Sequence, residues 1–448
     1  MKNFFITYYK DLFLGKRLFA GIGLCATLFL FSFFLPWLGD IPFVAFWILM
    51  ALIVIDMILL YRQNKGFFLR RDVPERLSNG DENEINIYVE SFYPFATKIG
   101  VIDEIPWQFQ KRDIWFASNL KAREHKTINY VLRPTKRGEY VFGLVRLYVS
   151  SPIGLITRRF NFGEEKTVPV YPSFLQLRRY ELMAISNRLN EIGIKKIRRI
   201  GHSLEFDQVK NYVQGDDYRT VNWKATARKG ELMVNSFTDE KAQHVYCIID
   251  KSRVMKMPFE GLSLLDYAIN ASLVLSNVAL LKEDKAGLIT IAEKTGNIVP
   301  ADRKPAQLGR IMEVLYKEKT RYLETNMEIL YTSIRSVMKQ RSLLVFFTNF
   351  ESMSALNRQL PFLKRIAKFH LLLIVFFEDT ELKSLTEDEV KDVEGIYIKT
   401  IASKFAYEKK LIVKELARHG ILSILTPPEK LTVNVINRYL SIKAQQKL

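Results

Sequence analysis

The chain has 448 residues, of which 48% are hydrophobic and 25% charged, so it can bury several cores and wholesale disorder is excluded. Its net charge of +18 would suit a nucleic-acid-binding protein, but the bases concentrate beside apolar segments and within residues 177–200, so we expect no nucleic-acid partner. The sequence contains no zinc-type cysteine pair, HExxH motif, phosphate-binding loop or GxSxG elbow, and it suggests no small-molecule substrate.

Two long apolar runs near the N-terminus predict a transmembrane hairpin. They follow a basic segment, residues 1–17, and comprise Leu18–Leu38 and Ile41–Tyr61, each long enough to cross a bilayer. Bases flank the outer ends of both runs, and the short connection between them carries only an acid. The positive-inside rule therefore places both termini and the whole soluble body in the cytoplasm.

One acidic residue lies within the second apolar run. Asp56 is little more than one helical turn from the cytosolic end of that run, and an acid at membrane depth is costly without a partner. Lys16 or Arg17, at the start of the first run, can reach it. We therefore expect Asp56 to form an ion pair with one of these two bases.

A β-rich region follows the membrane hairpin. Residues 75–172 alternate apolar and polar positions, as in INIYVES, where Ile85, Ile87 and Val89 share one face. Gly, Pro, Asn and Asp interrupt these runs about every eight to twelve residues, a spacing that predicts an antiparallel β-sandwich of immunoglobulin-like type. Residues 173–240 read as a basic helical linker followed by a motif-rich segment.

The C-terminal region, residues 241–448, alternates apolar runs of strand length with amphipathic helical stretches. The strand-like runs are HVYCIID, AGLITIAE, SLLVFFTNF, LLLIVFFED and ILSILTP. This alternation predicts a parallel, doubly wound sheet with helices on both faces. Because ligands of such sheets bind beyond the carboxyl ends of the strands, the residues at that edge are the candidate site.

A degenerate metal motif lies at that edge. Asp250 and Ser252 follow the first strand in a pattern similar to the D-x-S-x-S of von Willebrand factor A-like domains, and Thr348 follows another strand. Magnesium prefers oxygen ligands, but Val254 and Asn349 stand where a hydroxyl and a carboxylate would be expected. We predict a weak or lost magnesium site, or an Asp250 that only caps the next turn, and no other cofactor.

The most specific motifs lie in residues 201–240, hereafter the signature segment. It resembles a bacterial family known as domain of unknown function 58, and the matching residues are Gly201, Glu205, Phe206, Tyr212, Gly215, Asp216, Asp217, Arg219, Trp223, Ala227, Arg228, Leu232 and Glu240. The chain departs from the family pattern at Asn211 and Asn222. An upstream S-P-x-G-L stretch also resembles the family, with Ser151 where the family tends to carry Asp.

The signature segment combines paired acids, bases and one tryptophan without a nucleophile–base pair. Arg219 and Arg228 can bind carboxylates such as Glu205 or Asp217, and Trp223 offers a large apolar surface. We therefore interpret the segment as a salt-bridged clasp between the sandwich and the C-terminal domain, with Trp223 buried in it. The expected fold class is an α+β multidomain membrane protein: a two-helix transmembrane hairpin, an immunoglobulin-like β-sandwich and a von Willebrand factor A-like α/β domain.

The family resemblance also implies a function. It implies a non-enzymatic, membrane-anchored scaffold or adaptor at the bacterial inner membrane, in contact with the lipid bilayer. Its expected protein partner is a MoxR-type AAA+ ATPase, in a chaperone-like system that assembles or matures other proteins. Two alternatives are a hydrolase that uses Asp216 or Asp217 for acid–base chemistry, and a basic nucleic-acid-binding module.

Overall fold

The computed structural model describes residues 10–63, 65–111, 114–178, 205–214, 216, 218–238, 242–380, 382, 385 and 393–445. The chain divides into two compact units, Met1–Tyr171 and Pro172–Leu448. The first unit contains two apolar helices and a β-rich part, and the second contains a sheet covered by helices on both faces. The helix expected in the basic linker lies outside the described residues from position 179 onward.

The N-terminal apolar runs form the helices α1 (Lys16–Phe34) and α2 (Ile41–Tyr61), connected through one 3-10 turn at Pro36–Leu38. By length and composition both can cross a membrane, and only 11% of each apolar stretch is buried within the protein. The helix Leu264–Leu281 meets the same two criteria, but 78% of it is buried in the core of the second unit. The two N-terminal helices therefore indicate membrane association, whereas the third is explained by protein packing.

The β-rich part of the first unit consists of short strands. Those that the structure describes are β1 (Leu12–Leu14), β2 (Phe67–Asp72), β3 (Leu77–Ser78), β4 (Asn83–Ser91), β5 (Thr97–Asp103), β6 (Trp115–Leu120), β7 (His125–Leu132), β8 (Gly138–Phe142), β9 (Val145–Ser150), β10 (Ile156–Phe162) and β11 (Lys166–Tyr171). They form a five-stranded sheet in the order β1-β10-β9-β5-β6 and two three-stranded sheets, β2-β4-β7 and β3-β11-β8. Neighbours pair antiparallel except β3 with β11.

The predicted alternation positions the core of this unit. Ile85, Ile87 and Val89 of β4 are fully buried, while the residues between them face outward. Ile87 and Val89 belong to a hydrophobic cluster that includes Leu18 of α1 and Leu60 of α2, so the ends of both apolar helices pack onto the sheets, whereas Ile85 belongs to a second cluster. Burial of these aliphatic groups stabilises the contact between the helices and the β-rich part by roughly 1.5–3 kcal/mol per side chain.

The second unit contains the predicted parallel sheet. Its strands are β14 (His244–Asp250), β17 (Lys285–Ile291), β18 (Thr295–Asp302), β19 (Leu343–Phe347), β20 (Leu371–Phe377) and β21 (Leu422–Thr426), in the order β18-β17-β14-β19-β20-β21. All neighbours are parallel except β18, an antiparallel edge strand. Two further strands, β15 (Pro258–Phe259) and β16 (Leu262–Ser263), form a small separate hairpin.

Helices cover both faces of this sheet. They are α4 (Leu264–Leu281), α5 (Gln307–Lys317), α6 (Met327–Val337), α7 (Met353–Phe369), α8 (Val393–Arg418) and α9 (Leu431–Ala444). One hydrophobic cluster joins α4, α5 and α9 to the sheet, and a second joins α6, α7 and α8 to the other face. Successive residues of β14 alternate between the two clusters, as a strand buried on both faces requires.

The signature segment forms an antiparallel hairpin of β12 (Glu205–Asn211) and β13 (Met233–Thr238). The connection between them carries a 3-10 turn at Tyr218–Thr220 and the short helix α3 (Trp223–Lys229). Gly230 ends that helix with φ +76°, a left-handed conformation that glycine adopts without steric cost.

The sequence-based prediction does not name β18, α6 or β1, among other short elements. Strand β18 contains Gly296 and Pro300, which read as loop residues and are tolerated here because the strand lies at the sheet edge. Helix α6 is only 11 residues long, and strand β1 is only three. Three residues are too few to show a periodicity, so β1 could not be recognised from a single sequence.

Candidate functional site

The Asp250 carboxylate lies at the carboxyl end of β14 and is almost completely buried. Its Oδ1 accepts a hydrogen bond from the backbone N–H of Ser252 at 2.8 Å and another from the hydroxyl of Thr325. Its Oδ2 accepts a hydrogen bond from the Thr348 hydroxyl at 2.7 Å. Protein donors therefore satisfy both oxygens. We call Asp250, Ser252, Thr325 and Thr348 the carboxyl-edge network.

The structure brings the three predicted metal residues together, although in different roles. Ser252 contacts Asp250 through its backbone N–H, which is the turn-capping arrangement that was the alternative to metal binding. Val254 has no side-chain oxygen, and it is partly buried against a hydrophobic cluster. Among the described residues, no three His, Cys, Asp or Glu side chains cluster in a way that could hold a metal. A cation at Asp250 would have to compete with hydroxyl donors that are already bound.

Sequence reasoning missed Thr325. This residue lies between α5 and α6, 75 positions from Asp250, and directly precedes Asn326, whose side chain caps the N-terminus of α6. The Thr-Asn pair before an amphipathic stretch is the one local signal, and it indicates a helix start rather than a carboxylate ligand. Tertiary folding alone places Thr325 on Asp250.

An ion pair lies next to the carboxyl-edge network. Lys251 Nζ contacts Glu318 Oε2 at 2.7 Å, and both side chains are less than a tenth exposed. Glu318 Oε1 accepts further hydrogen bonds from the Thr290 hydroxyl at 2.9 Å and from the Asn297 amide at 2.7 Å. Because the carboxylate has a cation and two neutral donors, the cost of burying the pair is partly offset.

A second lysine reaches this edge from α8. Lys409 Nζ donates to Asn349 Oδ1 at 3.3 Å and to the carbonyl of Phe377 at the end of β20. Burial lowers the pKa of the Lys409 ammonium, and the carboxylates of Asp379 and Glu378 act in the opposite direction. Asn349, which was noted as a missing carboxylate, thus serves as a neutral acceptor for a buried amine.

In the signature segment, Asp216 has a local structural role. Its Oδ1 pairs with Lys210 Nζ at 3.0 Å, and its Oδ2 accepts the backbone N–H of Val213 at 3.0 Å. The Val213 N–H, followed by Lys210, holds the pKa of Asp216 below its usual range. A carboxylate held in its ionised form by its own hairpin is a poor general acid.

The predicted burial of Trp223 is wrong. Its side chain is 73% exposed at the start of α3, and Tyr218 beside it is 72% exposed. Arg228 is also exposed on α3, and the Arg219 guanidinium lies 5.7 Å from the centre of the Tyr218 ring. The reason is that α3 has only seven residues, so it covers little surface and leaves these large side chains in solvent.

Asn222, noted above as a departure from the family pattern, caps α3. Its Oδ1 accepts the backbone N–H of Ala225 at 3.0 Å, and its Nδ2 donates to Asn235 Oδ1 at 2.8 Å. Asn and Asp are about equally good at this position, so the replacement preserves the helix start. Of the other signature residues, Glu205 pairs with Thr238 at the base of the hairpin, whereas Asp217 lies outside the described residues.

The predicted partner of Asp56 is also wrong. This buried residue of α2 accepts hydrogen bonds from the Ser151 hydroxyl and from the backbone N–H groups of Leu155 at 2.9 Å and Ile156 at 2.8 Å. Asp56, Ser151, Leu155 and Ile156 are hereafter the helix–loop junction. Two of its donors come from the loop between β9 and β10 and the third from the first residue of β10, about 95–100 positions away in sequence, where no local pattern could indicate them.

Other bonds reinforce this contact. Arg17, the expected partner of Asp56, instead donates to the carbonyls of Pro152 and Ile153 at 3.1 and 2.9 Å. The buried Arg158 donates to the carbonyl of Leu60 at 2.7 Å, an acceptor left open at the C-terminal end of α2. The loop after β9 therefore binds the ends of both apolar helices.

Residues 208–407 match the model of a family described as "Protein of unknown function DUF58". An uncharacterized protein of Bacillus subtilis, YeaD, is 28% identical over 184 residues, which cover 39% of this chain and 45% of that relative, less than half its length. Among solved structures, BatB from Bacteroides thetaiotaomicron gives a TM-score of 0.30 at 15% identity, covering 46% of this chain and 100% of that one. A CARDB domain from Pyrococcus furiosus gives 0.16 at 14% identity, covering 23% and 91%.

Proposed function

We propose that this chain, which belongs to the DUF58 family over residues 208–407, is a membrane-anchored scaffold or adaptor and not an enzyme. In this proposal its partner is a MoxR-type AAA+ ATPase, and the two act in chaperone-like assembly or maturation of other proteins. Both termini and the soluble body lie in the cytoplasm of a bacterium, beneath the inner membrane, because bases flank the outer ends of α1 and α2.

The helix–loop junction is the observation that supports this proposal most directly. It joins a membrane-associated helix to a β-rich part through three hydrogen bonds to one buried carboxylate. Bonds to an ionised group are roughly twice as strong as neutral ones. A protein that holds partners at a membrane needs such an attachment, whereas a soluble hydrolase does not.

The candidate carboxylates also favour recognition over hydrolysis. Both oxygens of Asp250 accept hydrogen bonds, three in total, and Asp216 is held by Lys210 and a backbone N–H. Each is engaged in holding its own loop. A general acid or base needs a carboxylate oxygen that is free to exchange a proton with the substrate. Protein donors already bind the oxygens of these carboxylates.

The finer fold assignment belongs to the same proposal. We assign the β-rich part to the immunoglobulin-like sandwiches and the second unit to the von Willebrand factor A-like domains. The antiparallel sheets of the first unit and the parallel sheet of the second support these assignments. Domains of the second kind generally recognise proteins at the carboxyl edge of the sheet, which suits an adaptor.

Affinity capture tests the proposed partnership. The full-length tagged protein is extracted in a mild detergent, and co-purifying proteins are identified by mass spectrometry. We expect an AAA+ ATPase to be enriched with the wild-type protein. Captures from which every AAA+ ATPase is absent would contradict the partnership.

Enzymology tests the hydrolase alternative on the same preparation. We expect no turnover of phosphoester or peptide substrates above that of a mock purification. Turnover that disappears in Asp216→Asn or Asp217→Asn, while the variant melts like wild type, would replace the adaptor with a hydrolase. Orientation is tested separately: a C-terminal reporter should be active only in the cytoplasm, and a tag at Gly39 should be labelled from outside.

A further inference from the structure

A cavity of about 180 Å³ lies at the amino edge of the parallel sheet, the edge opposite the carboxyl-edge network. The C-terminal ends of α6 and α7 form its sides, and His370, the residue before β20, lines it. Its floor is apolar, formed by the buried side chains of Ile334, Met338 and Ile366. We call this cavity the basic pocket for the composition of its rim.

Three exposed bases form that rim. Arg335, Lys339 and Arg341 line the pocket, and no acidic residue among the described residues lines it with them. Phe369, the last residue of α7, is 54% exposed at the same opening. The pocket therefore combines an apolar interior, an exposed aromatic wall and an uncompensated positive border.

His370 is a further feature of the pocket that packing within the protein leaves unsatisfied. It is only 8% exposed, and its Nδ1 is enclosed without a hydrogen-bond partner among the described residues. Burial, followed by the neighbouring Arg341, lowers the pKa of its ring. A buried polar atom without a partner is destabilising, so the fold leaves this edge of the pocket imperfectly satisfied.

A purely structural explanation covers only part of these observations. Bases near the ends of α6 and α7 interact favourably with the partial negative charge of helix C-termini, which accounts for Arg335 and Lys339. It does not account for the enclosed Nδ1 of His370 or for an aromatic ring left in solvent beside an open apolar cavity.

The size of the pocket decides what kind of occupant fits. Pockets for cofactors and drug-sized ligands measure about 300–1,000 Å³, so this one is too small for them. A single water needs only about 10–15 Å³, whereas a cavity of about 150 Å³ holds a benzene ring. One large apolar side chain matches the space, and acidic neighbours of that side chain would match the rim.

From these observations we infer that the basic pocket receives an acidic segment of a partner protein, which inserts one large apolar side chain between Phe369 and the floor. This inference rests on the proposed function, because it gives the adaptor its docking site for a protein. Arginine and aromatic residues are the side chains that most often dominate such contacts. The rim supplies the charge complementarity, and the cavity supplies the specificity.

The test uses the full-length protein in detergent and a synthetic probe peptide, one phenylalanine flanked by two glutamates on each side. The ring Cε1 carbons of the five histidines are isotope-labelled, and the His370 signal is assigned with His370→Gln. We expect the peptide to shift the His370 signal, with binding about tenfold weaker in Arg335→Gln/Arg341→Gln, because two exposed ion pairs contribute about 1 kcal/mol or less each. Arg310→Gln, at an exposed base of α5, is the charge control and should bind like wild type.

Companion probes make the proposal falsifiable. A peptide with alanine for phenylalanine should bind at least about tenfold more weakly, as loss of one buried aromatic ring predicts, and Phe369→Ala should weaken binding of the parent peptide. Equal affinity for the two peptides would overturn the proposal in favour of nonspecific charge attraction. Phenylacetate binding as tightly as the peptide would overturn it in favour of a small-molecule site. Failure to capture an ATPase contradicts the partnership proposed above but leaves these titrations interpretable, so the two failures are distinct.

Discussion

The carboxyl-edge network and the signature segment differ in burial, and in each the burial is the opposite of what its sequence suggests. The D-x-S motif at Asp250 resembles a solvent-facing metal site, yet its polar groups are buried and hydrogen-bonded to one another. The sequence of the signature segment suggests a buried clasp, yet the side chains of Trp223 and Tyr218 are exposed. The difference shows that the identity of polar and aromatic residues does not reveal burial. The network is built for stability, and the signature segment presents the residue types that proteins use for recognition.

The largest effect that this comparison predicts is at the buried ion pair. Lys251→Met leaves the Glu318 carboxylate buried without its cation, so we expect a loss of about 3–5 kcal/mol in the free energy of unfolding of the second unit. Lys251→Met/Glu318→Leu removes both charges and should recover most of that loss. Chemical denaturation of the full-length variants measures both values. A single variant as stable as wild type would show that this edge is not a stability element.

A smaller effect is expected at Thr348. Thr348→Val is close to isosteric but removes one of the three donors to Asp250, so we expect a loss of about 1–3 kcal/mol. Thr332→Val is a matched control, because Thr332 is exposed on α6 and bonds only to carbonyls of its own helix. Equal melting temperatures for Thr348→Val and the control would contradict the assignment of Asp250 to a closed network.

The signature segment should respond weakly in stability. Trp223→Ala removes a side chain that is mostly in solvent, so we expect a change of no more than about 0.5 kcal/mol. The same variant should reduce capture of the protein partner if the exposed segment serves recognition. Loss of several kcal/mol on this substitution would restore the clasp interpretation, and the thermal melt alone is enough to decide.

Magnesium should produce the smallest effect. A site with a dissociation constant of about 10 µM would stabilise the protein by about 2.7 kcal/mol in 1 mM magnesium. Because both oxygens of Asp250 already accept hydrogen bonds and Val254 has no side-chain oxygen, we expect no measurable shift in melting temperature. A shift that disappears in Asp250→Ala would mean that the hydroxyl donors give way to the ion.

Local periodicity was enough to predict part of this molecule. The helix α2, the parallel strands and the buried alternation of β4 follow from patterns that span about five to twenty residues. Ser151 as a partner of Asp56 and Thr325 as a partner of Asp250 could not be predicted. They lie 95 and 75 positions away, and Thr325, unlike Thr348, does not follow a strand of the sheet. The exposure of Trp223 depends on whether other parts of the fold pack against it. The local sequence around Trp223 does not contain that information.

The helix–loop junction also sets an order of events during synthesis. Asp56 leaves the ribosome about 95–100 residues before the loop that binds it, which at 5–20 residues per second corresponds to a delay of about 5–20 s. Throughout that interval the carboxylate of Asp56 lacks the donors that the folded protein gives it. Attachment of the β-rich part to α2 is therefore a late step, reached only after β9 and the following loop have emerged. A nascent chain halted before Ile156 contains both apolar helices, but its Asp56 still lacks the full set of donors.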